Sequence, residues 1–309
     1  RNTVQSLLQD KYDFETRRKV PKTAEGWRPE IWAQFAELGL LAAPFSEEMG
    51  GLGGGAIENM IIMEEFGRHL VVEPYVETVV IAGGFLRDGG SAAQQEAHIP
   101  GIIGGETVWA FAYAEPQGRY NLADLTTTAK KDGSGYTING YKAVVLGAPW
   151  AQKLIVTART SGGQRDRDGV SVFIVDKSAA GVSTRDYPTV DGRRASEITF
   201  ENVKVDGDAL IGAEGKGLPL VEKITDQAIA ALSAEATGCM KELNTATVEY
   251  CKTRKQFGVP IGKFQVLQHR MVDMFMAYEQ SVSMTYMVNL KLEESDAERT
   301  RAAAGAKVQ

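Results

Sequence analysis

The sequence predicts an α+β fold in which an antiparallel β domain separates two helical ones. Three observations carry this expectation. Apolar residues recur at spacings of three and four up to about residue 105. From Thr107 the pattern changes to short runs of branched and aromatic residues, divided by turn signals. From Gly212 the helical period returns. The expected domains are 1–106 (helical), 107–213 (β-barrel or sandwich) and 214–309 (a helical bundle, incomplete).

In the first region, Glu25-Gly26-Trp27-Arg28-Pro29-Glu30 opens a helix that Gly39 ends. Ile31, Trp32, Phe35 and Leu38 share one of its faces. Leu40 to Gly53 is a turn-rich loop. Glu58 to Phe66 starts the next helix, with Ile61, Ile62 and Glu65 mixing core and surface.

The middle region offers Thr107–Tyr113, Thr126–Lys130, Leu154–Ala158, Val170–Val175, Ile198–Phe200 and Val203–Val205 as strands. Asp132-Gly133-Ser134-Gly135 reads as a turn. Asn139-Gly140, between Tyr136–Ile138 and Tyr141–Val145, predicts a type I′ hairpin, because both residues tolerate positive φ. Many short strands with turn signals argue a small antiparallel barrel or sandwich.

In the last region, Gly215-Lys216-Gly217 precedes a long helix from Leu218, with Ile224, Ala228, Ala231, Leu232 and Glu235 near one face. It runs to Tyr250-Cys251-Lys252-Thr253-Arg254-Lys255-Gln256-Phe257-Gly258-Val259-Pro260. Gly258 and Pro260 stop a helix, and the basic residues suit its C-terminal dipole. A second helix follows, with Leu267, Met271, Met274, Phe275, Tyr278 and Val282 on one face. This is a tight basic corner between two helices. An Arg fork beside an amide suits phosphate oxygens.

Composition narrows the classes. Hydrophobic residues make up 43% and charged residues 24%, as in an ordinary globular protein. The net charge of -6 argues against nucleic acid. No signal peptide or membrane span is legible. Cys239 and Cys251 stand twelve apart in one helical run, so neither a disulfide nor a metal site is expected, and a reducing, cytoplasmic setting is. The start at Arg1 and the uncapped run to Gln309 suggest that residues are missing at both ends.

Arg254-x-Gln256-Phe257-Gly258 and Phe264-x-x-x-Gln268-His269, in that order, resemble the flavin adenine dinucleotide (FAD) contact of the acyl-CoA dehydrogenase family. Trp32-x-x-Phe35-Ala36-Glu37-Leu38-Gly39-Leu40-Leu41, followed by Glu47-Glu48-Met49-Gly50-Gly51-Leu52-Gly53, resembles that family's N-terminal helical domain. The order of helices, strands and helices extends the likeness along essentially the whole chain. Asp186 to Glu197 further resembles small subunits of the pimeloyl-CoA dehydrogenase type.

The resemblance implies FAD as cofactor, an acyl-CoA thioester as substrate, and α,β-desaturation of the fatty-acid β-oxidation type. It implies an electron-transfer flavoprotein as acceptor. It also implies a dimer or tetramer, homomeric or formed with a larger acyl-CoA dehydrogenase subunit, in which Arg254, Gln256, Phe257 and Gln265 serve a neighbour's FAD. Tyr113, Ala114, Tyr120, Val144 and Leu146 fall at the chain's own flavin face. Arg119, Tyr120 and Asp226 fall near the substrate.

The chain departs from the family there. Thr-Glu-Pro-x-x-Gly-Ser-Asp becomes Ala114-Glu115-Pro116-Gln117-Gly118-Arg119-Tyr120-Asn121. Lys-x-Trp-Ile-Thr-Asn becomes Lys142-Ala143-Val144-Val145-Leu146-Gly147, losing a ring-stacking Trp and the Thr that hydrogen-bonds toward flavin N5. Asp-x-x-Arg becomes Asp226-Gln227-Ala228-Ile229. The catalytic base is expected beyond Gln309, since Ala228 holds the alternative position. The kept trans contact and the altered own face suggest the small subunit of a heteromer. A non-catalytic assembly subunit and a flavin monooxygenase or oxidase are the alternatives.

Overall fold

The computed structural model describes residues Arg1–Gln309. Its helices are α1 (Asn2–Lys11), α2 (Phe14–Lys19), α3 (Pro29–Glu37), α4 (Ala56–His69), α5 (Gly83–Gly89), α6 (Ala92–Ile103), α7 (Leu218–Thr253), α8 (Gln265–Leu290) and α9 (Asp296–Val308), with a π-helical stretch at Val76–Ala82. Its strands are β1 (Trp109–Ala112), β2 (Thr128–Asp132), β3 (Gly135–Leu146), β4 (Lys153–Arg159), β5 (Val170–Asp176), β6 (Val182–Pro188), β7 (Arg194–Val205), β8 (Leu210–Ile211), β9 (Lys255–Gln256) and β10 (Val259–Pro260). The chain divides into two compact units, one of residues 18–55 and 72–225, the other of residues 1–17, 56–71 and 226–309.

The first unit is built on an eight-stranded sheet of order β6-β7-β3-β2-β4-β5-β8, with β1 beside β4. Most pairs are antiparallel, but β1–β4 and β2–β4 are parallel. Almost every residue of β4 and β5 is buried, so both faces of these strands are covered. In α3, Pro29 supplies the first turn and Ile31, Trp32 and Phe35 are buried. Leu38 is exposed instead, because the helix ends at Glu37 and Gly39 turns the backbone left-handed.

Asn139-Gly140 is not a hairpin. It lies inside β3, where the β3–β7 register shifts between Ile138 and Gly140. A Cβ at Gly140 would meet Thr127 at 2.4–2.6 Å, so the glycine serves a close backbone approach. Asn139 instead accepts from Asn202 N at 2.8 Å, holding that residue at φ +54. The hairpin turn lies earlier, between Asp132 and Gly135. The two runs at Ile198–Phe200 and Val203–Val205 are one strand, β7.

In the second unit α4 and α7 cross at two reciprocal glycines. A Cβ at Gly67 would lie 1.9 Å from Glu235 O, and one at Gly238 would lie 2.0 Å from Glu64 O. Glu65 is fully buried rather than intermediate, and its carboxylate is held by Arg1 and Arg68. The expected apolar face of α8 is only half covered. Ser281, Thr285, Val288 and Asn289 are its buried residues, and Phe275 is 57% exposed. α9 folds back so that Val288 joins Ala230, Leu292, Ala302 and Ala303 in one cluster. The corner between α7 and α8 holds a miniature hairpin, β9–β10, around Phe257 (φ +53) and Gly258 (φ +79). It is here, and not at Asn139-Gly140, that two consecutive positive φ angles make a two-residue turn.

Candidate functional site

Within the sheet unit, the altered flavin-face residues gather at one place. Ala114 O accepts from Ala143 N at 2.8 Å, which brings the end of β1 beside β3. The β3–β7 register shifts again between Lys142 and Val145. Val144, on that irregularity, has φ +51, a strained value for a branched residue. The irregularity turns Val144 outward, exposed by 52%, near Tyr113 (39%) and Leu146 (38%). Tyr113 stacks on Phe111 at 4.9 Å. Arg119 (φ +48) and Tyr120 (95% exposed) occupy the turn that follows Glu115.

An ion pair that the sequence reading passed over lies beneath this face. Lys142 Nζ donates to Glu115 Oε1 (2.8 Å), Tyr113 O (3.2 Å) and Thr157 Oγ1 (3.2 Å). Glu115 also accepts from Thr126 N (2.7 Å), Thr126 Oγ1 (2.5 Å), Gln117 Nε2 (2.8 Å) and Thr127 N (3.1 Å). Neither side chain reaches solvent. Burial opposes the charge on Glu115, but the Lys142 charge and the hydrogen bonds from Lys142 and Thr126 outweigh it, and the carboxyl falls to about 2. For Lys142 burial prevails over the attraction of Glu115, and the amine falls to about 8. The pair is therefore charged at neutral pH and joins β1, β3, β4 and the 115–127 segment. Its signal was present in the sequence. Glu115 and Lys142 are among the kept positions of the two phrases that are otherwise changed.

A second charged pair backs the end of β3. Glu77, on the π-helical stretch, is 6% exposed, and its Oε1 lies 3.4 Å from Arg193 Nη1. Its Oε2 is buried without a hydrogen-bond partner. A Cβ at Gly147, the residue after Leu146, would lie 3.3 Å from Glu77 Cγ. A glutamate inside the apolar run Val76–Ala82 was the available sequence signal.

Within the helical unit, Arg254, Gln256, Phe257 and Gln265 come together around the β9–β10 turn, all exposed. Gln256 Nε2 donates only to the carbonyl of its neighbour Lys255, and Phe257 meets Phe264 edge-on at 6.1 Å. Asp226 is placed differently. It is buried, and its Oδ2 accepts from Arg299 Nε and Thr300 Oγ1, both at 3.0 Å. Ala228 is buried two residues on.

The chain matches three family models in succession: acyl-CoA dehydrogenase, N-terminal domain, over residues 1–106; middle domain, over 110–203; and C-terminal domain, over 215–309. It belongs to the acyl-CoA dehydrogenase family. Isovaleryl-CoA dehydrogenase of Arabidopsis thaliana is 33% identical over 84% of this chain and 64% of its own length. Acyl-CoA dehydrogenase FadE12 of Mycobacterium tuberculosis is 30% identical over 89% of this chain and 70% of its own length. Among solved structures, a variant of the Tcur3481-Tcur3483 steroid ACAD has a TM-score of 0.87 at 28% identity, over 98% of this chain and 79% of that one. Butyryl-CoA dehydrogenase from Megasphaera elsdenii gives 0.87 at 25%, over 99% and 84%. The chain thus spans about two thirds of the length of these curated relatives, 64% for the Arabidopsis protein. No helix is long and apolar enough to cross a membrane.

The donor set fits a dinucleotide cofactor unequally in its two parts. Arg254, Gln256 and Gln265 present an exposed cation and two amides, suited to a pyrophosphate. Tyr113, Val144 and Leu146 present an apolar surface on which a ring can lie, but Val144 and Leu146 offer it no side-chain hydrogen bond.

Proposed function

We propose that this chain is a subunit of an FAD-dependent acyl-CoA dehydrogenase that introduces an α,β double bond into an acyl-CoA thioester, and that it is the smaller subunit of a heteromer. The observation that carries this reading is the inequality just described. The exposed Arg254–Gln265 loop keeps the residues that would serve a neighbour's cofactor, while the chain's own face has Ala114, Val144 and Leu146 where the family phrases have Thr, Trp and Thr. Family membership supports the activity. The likeness to a steroid ACAD whose name joins two designations, Tcur3481 and Tcur3483, supports two unlike chains. A neighbour titled as an electron-transferring flavoprotein, at 25% identity, agrees with that class of acceptor. Cys239 and Cys251 share no disulfide, which supports a reducing, cytoplasmic setting.

Bound flavin supplies the two-electron acceptor. This chain's residues would do the rest by position. The Glu115–Lys142 pair fixes the Tyr113–Ala114 backbone against the strained Val144, and Arg254 with Gln256 and Gln265 would hold phosphate oxygens of the neighbour's cofactor. Arg119 and Tyr120, both exposed, would meet the thioester's polar half. Asp226, tied to Arg299, is better suited to anchoring α9 than to touching substrate. No base is assigned among these residues.

The test is flavin content per chain in the native complex, with bleaching of the flavin band by a panel of acyl-CoAs without oxygen. One FAD per two unlike chains, bleached by one thioester class, is the expected result. One FAD per copy of this chain alone would overturn the heteromer, and no flavin would overturn the dehydrogenase. The loss of side-chain donors at Val144 and Leu146 favours one second reading, a subunit that only completes its partner's site. Flavin bleached in the complex but never contacting this chain's β face would select it.

A further inference from the structure

We propose that the exposed side of α8 is the surface on which the larger subunit docks, and that Glu279, at its centre, selects an unlike chain over a second copy of this one. The inference rests on the heteromer reading above. α8 carries two apolar stripes. Met271, Tyr278, Ser281, Thr285 and Val288 face the bundle, buried or half-buried. The second stripe is Val272, Phe275, Met276, Tyr286, Met287 and Leu290, all exposed, Leu290 by 67%. Their spacing puts them on one side of the helix, and Arg270, Asp273 and Gln280 take the part between the two stripes. A contiguous apolar side along a 26-residue helix marks an interaction surface.

What covers it follows from where the stripe leads. Gln265 stands two turns before Val272 on the same line of the helix. It belongs to the exposed loop that the proposed function assigns to a neighbour's cofactor. A chain that meets Gln265 can therefore continue along the stripe to Leu290, about 38 Å further on at 1.5 Å per residue, as one helix lies along another. Charge decides which chain. Glu279 is exposed and falls on the stripe, one turn past Met276 and two before Tyr286, near the midpoint of Gln265 and Leu290. An identical α8, laid parallel or antiparallel across that midpoint, brings the two copies of Glu279 within about one turn of each other. Like charges at the centre of a contact oppose it, and a chain with a Lys or Arg opposite removes the conflict. The partner this surface fits is a helix with an apolar stripe of its own and a base at its centre.

The measurements are oxidative footprinting of methionines and light scattering of the assembly, on the native complex and on the isolated full-length chain. Met276 and Met287 are expected to oxidise about tenfold more slowly in the complex, while Met284, off the stripe, changes little. Phe275→Asp should weaken the complex by on the order of a hundredfold, the effect of one central interface residue, and Gln280→Ala should not weaken it. Glu279→Lys should weaken it by setting like charge against the partner's base, and Glu279→Leu should let the isolated chain pair with itself. All four changes lie at exposed positions, and a melt of each isolated variant checks that it folds. Methionines already slow in an isolated monomer would mean that the chain covers its own stripe, and would overturn the inference. So would a heteromer unweakened by Phe275→Asp and Glu279→Lys, with the heteromer reading left intact. A Glu279→Leu chain that stays monomeric overturns the selecting role of Glu279. A native complex built of this chain alone, with the stripe protected, gives the surface to a second copy and removes the heteromer as well.

Discussion

Replacing Lys142 with Met removes the cation beneath the flavin face and nearly preserves its length. Glu115 titrates at about 2 in the fold against an ordinary 4.5. At 1.36 kcal/mol per unit this difference is worth about 3 kcal/mol. Its folded pKa is depressed, so the contribution is present above pH ~4.5 and is lost as pH falls toward 2. Lys142, at about 8 against 10.5, has the opposite balance. Burying its charge costs a similar amount at neutral pH, about 3 kcal/mol, and the cost fades as pH rises from about 8 to ~10.5. The intact pair is therefore nearly neutral in net, as buried pairs commonly are, while breaking it is costly.

Lys142→Met should then destabilise the sheet unit by about 3 kcal/mol, because Glu115 keeps its Thr126, Thr127 and Gln117 donors but loses its counter-charge. Glu115→Gln should cost a similar amount by stranding Lys142. The double variant should cost far less than the two together. The assay is urea unfolding followed by tryptophan fluorescence, since Trp27, Trp32, Trp109 and Trp150 all lie in the same unit as the pair and Trp109 is fully buried. Additive single costs, or a Lys142→Met loss under ~1 kcal/mol, would refute the reasoning. So would an unchanged acid transition, because the variant must raise the Glu115 pKa and move acid unfolding to higher pH.

Three further outcomes are expected. Arg254→Ala, at an exposed site, should leave the melting temperature almost unmoved yet lower FAD affinity of the assembled complex at least tenfold, the value of one charge-assisted hydrogen bond; unchanged flavin retention in dialysis would remove Arg254 from the cofactor contact. Gly238→Ala should cost more than 1 kcal/mol, since its Cβ would sit 2.0 Å from Glu64 O across the α4–α7 crossing, and a melt followed by helical circular dichroism reads it. Asp226→Asn should cost about 3 kcal/mol by leaving Arg299 with only Asp296 as an acid partner, and a substrate-affinity change without a stability change would instead return Asp226 to the thioester.

The layer order was legible because period alone carries it: the switch at Thr107 lies two residues before β1, and the return at Gly212, with its long helix expected from Leu218, lies six before α7. What failed was local chemistry under tertiary control. Asn139-Gly140 has the composition of a turn, but the approach of Thr127 makes it a bulge, and nothing local announces a partner thirteen residues before Gly140. The two-residue turn lies at Phe257-Gly258, where the first residue is one that local preference would never nominate. The half-covered face of α8 is legible as apolar, but whether another surface lies on it depends on more than this chain's own pattern.

The buried and exposed layers of the candidate site carry different information. Glu115 and Lys142 are what hold β1 to β3, so they survive any change in what the face does, and their retention speaks to the fold alone. Val144 and Leu146 are exposed and Ala114 is half-buried, so under the proposed function their departure from the family phrase bears on ligand contact rather than on the core. The loop at Arg254–Gln265 is the reverse case. Its side chains are exposed, make few contacts within the chain, and are worth little to its stability. Under the proposed function, residues that do little for their own fold yet match a cofactor contact would be explained by what they meet on another chain. On that reasoning the proposed trans contact rests on this loop rather than on the sheet face.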